Sequence, residues 1–423
     1  MEDTKEKLIK NLFREISKWI ILSVIAGIFV GLVVGSYEII VTKANSYRIE
    51  HENLVLFLPI IGIVLGYIYV KVKRNAYSGQ NLLKSEVINA TKDIPFYMIV
   101  VSYLGSLLTT FFGGSAGKEG TGVCIGGTFA DFLSRKVKLD DKDRKILVIS
   151  SVGGAFGVLY DAPFAGAILG MEVILKGTFH YQALIPAFIT TVTANKVAFL
   201  IGNKTLNYPE LTLGNLNFNL FFKMILLGLI FGLVGILFNM SIDLSKYLFK
   251  KYIKNPMIKG FVGGLITVIL FLSLGSNYNG LGQSYIEKSF KSKVSIFDFM
   301  WKIVFTAIAL GSAFQGGTGN PTFFIGATLG SGLSKLFNLQ VADIASLGMI
   351  GVFCSVAALP ISAIAISVEY FGTKSVLEII IVMTVSYTIS GFYDIIIKRK
   401  LTKGKSTLFG VENIEWWYNR HRN

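Results

Sequence analysis

One carboxylate stands out in this sequence. Glu119 lies in the glycine-rich stretch Gly113-Gly114-Ser115-Ala116-Gly117-Lys118-Glu119-Gly120-Thr121, inside an otherwise apolar region. Glycine opens the backbone N–H groups at a helix start, and the helix dipole adds about half a positive charge there, so such a start binds anions. Comparable starts follow Gly79-Gln80-Asn81 and Gly317-Thr318-Gly319-Asn320-Pro321. Two or three opposed starts in a low-dielectric setting favour a small anion without a buried lysine. The candidate anion contacts are therefore Gly79, Gln80, Asn81, Gly117, Lys118, Gly120, Thr121, Thr318, Gly319 and Asn320. Glu119 at the same place can compete with the anion. Charged, it occupies the site; protonated, it leaves and carries a proton. The plainer reading is a carboxylate that only complements the dipole. For Gln80 and Asn81 it is satisfaction of turn backbone groups. Lys118 does not end a phosphate loop, because Phe112 and Glu119 stand where that motif needs glycine and Ser/Thr.

These residues need elements that hold glycine-rich backbone at membrane depth. The 423 residues are 52% hydrophobic and only 16% charged, against about 25% charged in a soluble chain. Membrane residence is the only class that fits. A soluble enzyme, a disordered chain and a fibre are excluded. Charge-free runs occupy Trp19–Tyr37, Asn53–Val70, Ile94–Gly117, Met224–Ile242, Gly260–Tyr285, Ile303–Ser334 and Ile344–Val368; a span takes about 20 apolar residues. Ile303–Ser334 is too long for one span and contains Gly-Gly-Thr-Gly-Asn-Pro. Broken helices follow, tolerated only where protein or water covers the freed backbone groups.

The net charge of +15 sits in blocks outside the apolar runs, at residues 5–18, 71–74, 246–259, 398–405 and 420–422. Basic flanks mark the cytoplasmic side, so both termini are expected in the cytoplasm, with the protein multi-pass in the cell (plasma) membrane. A basic folded face for nucleic acid is lacking. Cys124 and Cys354 lie in apolar segments, and His51, His180 and His421 show no metal-ligand spacing; no metal or cofactor is expected. No nucleophile–base pair marks an enzyme.

The chain repeats itself. A shift of 197 residues lays Gly114-Ser115-Ala116 on Gly311-Ser312-Ala313, Gly120-Thr121-Gly122 on Gly317-Thr318-Gly319, Pro163 on Pro360 and Glu172 on Glu369. Fourteen identities fall in the 59 positions 114–172, where composition yields about four or five. Such repeats put a substrate site at their interface near the midplane. The expected organisation is a cytoplasmic segment 1–18, a first transmembrane repeat 19–205, a second 206–397 and a basic tail 398–423. Glu172 and Glu369, equivalent in the repeats, are expected to be structural hydrogen-bond partners.

These motifs resemble the CLC family of chloride channels and anion/proton antiporters over about residues 15–400. The resemblance implies an all-α polytopic fold, an inverted repeat of two homologous halves with many tilted and broken helices, and a homodimer with one pathway per chain. Gly117-Lys118-Glu119-Gly120-Thr121 is similar to the family's G-K/R-E-G-x motif, which makes Glu119 the gating and proton-coupling glutamate. Gly79-Gln80-Asn81-Leu82-Leu83 replaces G-S-G-I-P, and Gly319 replaces the phenylalanine of G-x-F-x-P. Tyr393 matches the tyrosine that closes the central site from inside, though an interfacial anchor is its rival reading. The antiporters' internal proton glutamate falls where this chain has Val173. The missing serine, Asn81 and the absent internal glutamate together resemble the fluoride-exporting subgroup, whereas Thr318 and Asn320 depart from its glutamate and threonine. The function implied is fluoride or halide export against protons, with chloride/proton exchange or a passive chloride channel as alternatives.

Overall fold

The computed structural model describes residues 2–72, 94–173 and 179–396. Among them the chain forms fifteen α-helices and no strand beyond one isolated bridge. The first half comprises α1 (Glu2–Glu50), α2 (Leu58–Lys71), α3 (Met98–Phe111), α4 (Glu119–Lys136), α5 (Asp141–Tyr160), α6 (Pro163–Val173) and α7 (Leu184–Leu200). The second comprises α8 (Phe218–Tyr252), α9 (Pro256–Leu274), α10 (Gln283–Lys291), α11 (Asp298–Gly311), α12 (Gly319–Phe337), α13 (Val341–Ala357), α14 (Pro360–Phe371) and α15 (Val376–Ile396).

Among the described residues five segments are long and apolar enough to cross a bilayer: Ile9–Glu50, Glu52–Lys71, Tyr181–Leu200, Phe218–Tyr252 and Pro256–Leu274. Only 33–44% of each apolar window is buried by the protein itself. Side chains such as Leu200, Leu233 and Leu272 project outward, which suits a hydrocarbon solvent and not water. The remaining apolar helices are short and broken. Three charge-free runs divide where backbone chemistry demands it: at Gly275, at the Gly311–Thr318 loop, and at Ala358-Leu359 before Pro360. The span at Tyr181–Leu200 adds to the seven charge-free runs and carries Lys196 near its end.

Small residues let these helices approach closely. Gly27, Gly31 and Gly35 on α1 lie against Thr190, Ala194 and Ala198 of α7. Without a hydrophobic force between helices in lipid, such contact gains dispersion energy and brings few competing bulky side chains. Gly126 of α4 packs on Ser151 of α5, and Gly326 of α12 packs on Gly348 of α13.

The two halves are related, but the single 197-residue shift needs correction. The turn after α3 and the turn after α11 carry the same backbone pattern 200 residues apart. Lys138 and Asn338 both adopt positive φ (54° and 49°) after α4 and α12. Ser134 and Ser334 each donate Oγ–H to the carbonyl three residues back, both at 2.8 Å. In α6 and α14 the shift is 197, with Pro163 opening one and Pro360 the other. The difference is an extra turn in α5, which has 20 residues against 17 in α13. Glycines at 114, 117 and 120 hid the slip, since a three-residue shift still lays glycine on glycine.

Asp140, Asn217 and Asn255 cap three helix starts with their side chains. Asp140 Oδ1 accepts the Asp143 N–H at 2.8 Å and opens α5. Asp140→Ala is expected to lower stability by about 1 kcal/mol. Reversible unfolding in mixed micelles measures it, and an unchanged midpoint refutes the cap.

Glu172 and Glu369 exchange caps between the halves. Glu172 accepts the Ile361 N–H at 3.4 Å and both the N–H (2.8 Å) and O–H (2.5 Å) of Ser362, at the start of α14. Glu369 accepts the Phe164 and Ala165 N–H groups at 3.2 and 2.8 Å, at the start of α6. Each satisfies donors that a helix start leaves without intrahelical partners. Other buried ionisable groups are likewise spent on structure. Asp131 pairs with Arg144 and Arg135 at 2.5 and 2.9 Å, and Lys302 donates to the Tyr278 and Gly280 carbonyls.

Candidate functional site

The glycine-rich segments are two related loops that meet head-on. After α3 the chain turns at Gly113, whose φ of +86° suits glycine. The Gly113 carbonyl is fixed by Asn279 Nδ2 at 3.0 Å and the Gly280 N–H at 3.2 Å. Ser115 Oγ pairs with Thr306 Oγ1 at 2.9 Å. The chain then runs extended to Gly117, where it meets its repeat partner Gly317. Each N–H donates to the other's carbonyl, at 2.8 and 2.6 Å, so the bridge spans the pseudo-two-fold axis. Immediately beyond it, α4 and α12 begin.

Glu119 crosses that axis. It is 5% exposed, and its carboxylate accepts the Gly319 N–H at 3.1 Å and the Asn320 N–H at 2.8 Å. Position 319 is the repeat equivalent of 119 in the loop register, so the carboxylate of one repeat fills the space left by the missing side chain of the other. A Cβ at Gly319 would stand 2.5 Å from the Glu119 carboxyl carbon, and one at Gly317 would stand 2.7 Å from its Oε2. Two helix starts can face each other this closely only if one of them is side-chain-free.

The arrangement has a clear chemical capacity. Two backbone donors at a helix N-terminus hold a carboxylate, and a small anion would need the same donors. Occupancy by one excludes the other. The carboxylate can be neutralised by a proton, which weakens its hold on the two N–H donors and frees them for another acceptor.

Other expected contacts divide. Gly117, Gly120, Thr121, Thr318, Gly319 and Asn320 come together around the two starts. Thr121 is turned toward the Ser102 carbonyl, with Oγ1 at 3.4 Å. The Lys118 ammonium does not face the anion position: it is buried and forms an ion pair with Glu38 of α1. A cation here without a partner carboxylate would cost several kcal/mol, and α1 supplies one. Gly79, Gln80 and Asn81 lie outside the described residues, as does the side chain of Tyr393. Val173 ends α6, directly after the capping Glu172. Among the described residues no cluster of His, Cys, Asp and Glu has the geometry of a metal site, and both cysteines are buried thiols.

Two residues of the site escaped the sequence reading. Glu38, with Asp161, Asn195 and Lys204, lines a cavity of about 30 Å³, room for about one water molecule. Its signal was present: a lone carboxylate that ends the first charge-free run, with apolar residues on both sides. Tyr160, the last residue of α5, is buried beside Glu119; nothing in its position distinguishes it from a core aromatic.

Known proteins are similar to this chain over most of its length. The model of the family described as Voltage gated chloride channel matches residues 61–391. The chain is 30% identical over 388 residues to the chloride/fluoride channel protein of Pseudomonas syringae pv. tomato, covering 90% of this chain and 86% of the relative. It is 24% identical to the H(+)/Cl(-) exchange transporter ClcA of Vibrio cholerae, covering 82% and 81%. The crystal structure of a CLC-type fluoride/proton antiporter superposes with a TM-score of 0.87 at 33% identity, covering 90% of this chain and 97% of that one.

Proposed function

The chain belongs to the voltage-gated chloride channel family, and from that premise we propose that it is an anion/proton antiporter that exports fluoride in exchange for protons. The observation that carries the reading is the Glu119 carboxylate held by the Gly319 and Asn320 N–H groups of the opposite repeat. One site serves both ions in turn. An anion leaves its donors to Glu119, and a protonated Glu119 leaves them to an anion, so the two fluxes are tied in opposite directions.

Fluoride is favoured over chloride by the donor chemistry. The smaller ion gains more from each short hydrogen bond, and Gln80 and Asn81 supply amide donors where the family's chloride-type loop has a serine. Relatives named as a chloride/fluoride channel and a fluoride/proton antiporter support the choice. Gln80, Asn81 and Tyr393 are proposed as further contacts along the path, and Glu119 as the residue both ions share. The protein is proposed to work in the cell membrane with both termini cytoplasmic, as a homodimer. Each chain holds a complete path, since both halves that frame Glu119 lie in it.

A passive channel is the second reading, favoured by Val173 and by the capping duty of Glu172, which leaves no free carboxylate at that end of α6. Reconstitution into liposomes with fluoride and pH electrodes separates the two. An exchanger lets an outward fluoride gradient drive proton uptake, and its zero-current potential moves with the proton gradient. A potential indifferent to pH assigns the channel. Chloride moved in preference to fluoride overturns the selectivity.

A further inference from the structure

We propose that the hydroxyl of Tyr160 is a ligand of the anion that replaces the Glu119 carboxylate, a role that rests on the Glu119 reading above. Three observations lead to it. The hydroxyl is buried, the residue being 2% exposed, and Tyr160 Oη has no hydrogen-bond partner among the described residues. A buried O–H without a partner is costly relative to one in water, so its retention calls for an explanation, and a ligand that comes to meet it is one.

The second observation is direction. The point where a Cβ of residue 319 would stand lies within 2.5 Å of both Tyr160 Oη and the Glu119 carboxyl carbon. The phenol and the carboxylate therefore converge on one small volume. Gly319 keeps that volume open, and any side chain there would meet both groups. The third observation is rigidity. The Tyr160 ring is enclosed by Phe156, Phe323 and Phe353, with centroids 5.3–6.3 Å away. Its carbonyl accepts the Tyr370 O–H at 2.5 Å. The ring cannot turn its hydroxyl elsewhere.

When Glu119 leaves in its protonated form, the volume is bounded by the Gly319 N–H, the Asn320 N–H and the Tyr160 O–H. Three convergent donors without a formal positive charge suit a small monovalent anion, which they hold firmly enough to select and loosely enough to release. The phenol is the donor that the carboxylate does not use, so its bond is reserved for the transported ion.

Isothermal titration with sodium fluoride and sodium chloride tests this on purified protein in micelles. Glu119→Ala, which clears the carboxylate, is compared with the double variant Glu119→Ala/Tyr160→Phe; phenylalanine keeps the ring and its packing. The double variant is expected to bind fluoride about tenfold more weakly, the loss of one bond to a charged group, and chloride to weaken less. Affinities within twofold for both halides overturn the proposal while leaving the Glu119 site intact. Failure of Glu119→Ala itself to bind either halide removes the anion site, and Tyr160's role with it. In liposomes, Tyr160→Phe alone should lower the fluoride-to-chloride efflux ratio at unchanged proton stoichiometry, because Glu119 still carries the proton. An unchanged ratio speaks against the phenol as ligand.

Discussion

Glu119→Gln should reduce proton uptake driven by an outward anion gradient to the level of protein-free liposomes. The substitution keeps the shape of the side chain and one oxygen that can accept from the Gly319 or Asn320 N–H. It removes the titratable group. An amide neither carries a proton across nor becomes neutral on cue, so the two fluxes lose their link whatever becomes of anion movement. The measurement is a pH electrode in lightly buffered liposomes loaded with fluoride, with the ionophore-clamped voltage set to oppose passive proton entry. Proton uptake at the wild-type rate in the variant would show that another group carries the proton, and the shared-site reading would fall.

Glu172→Ala should destabilise the protein by about 3 kcal/mol. The carboxylate is one face of a three-donor cap on α14, and its loss leaves two backbone N–H groups and the Ser362 hydroxyl facing apolar surroundings. Each unsatisfied buried donor costs about 1–3 kcal/mol, less whatever local relaxation recovers. Glu369→Ala removes two donors' partner, one of them on the exposed Phe164, and should cost less. Equilibrium unfolding in mixed micelles reads both, and a loss below about 1 kcal/mol for Glu172→Ala contradicts the capping account. Glu172→Gln adds a functional control. It retains an acceptor for the start of α14, and proton coupling should persist. Coupling lost in that variant, with stability retained, would make Glu172 a proton carrier after all.

Much of this molecule was legible in its residues. A charge-poor chain with basic flanks dictates membrane residence, and apolar runs of about 20 residues dictate helices, which satisfy their backbone groups within one segment. Glycine clusters within apolar runs require broken helices. Glu119 beside glycines marks a carboxylate at a helix start, and the Pro163/Pro360 and Glu172/Glu369 pairs announce duplication. These features depend on local chemistry or on periodicity along the chain, which a sequence carries by itself.

Only the tertiary structure decided how the repeats engage. The one-turn difference between α5 and α13 changes the loop register from 197 to 200, and identities among glycines cannot detect it. That register makes Gly319, not Gly316, the counterpart of Glu119, and explains why a glycine is required there: the other repeat's carboxylate needs the room. Lys118 stands in the sequence among the candidate anion contacts, yet its ammonium is paired with Glu38, eighty positions earlier. Tyr160 gains meaning only from the point in space it shares with Glu119. Contacts between residues far apart in the chain leave no periodic trace, since each partner on its own satisfies the ordinary rules of an apolar helix.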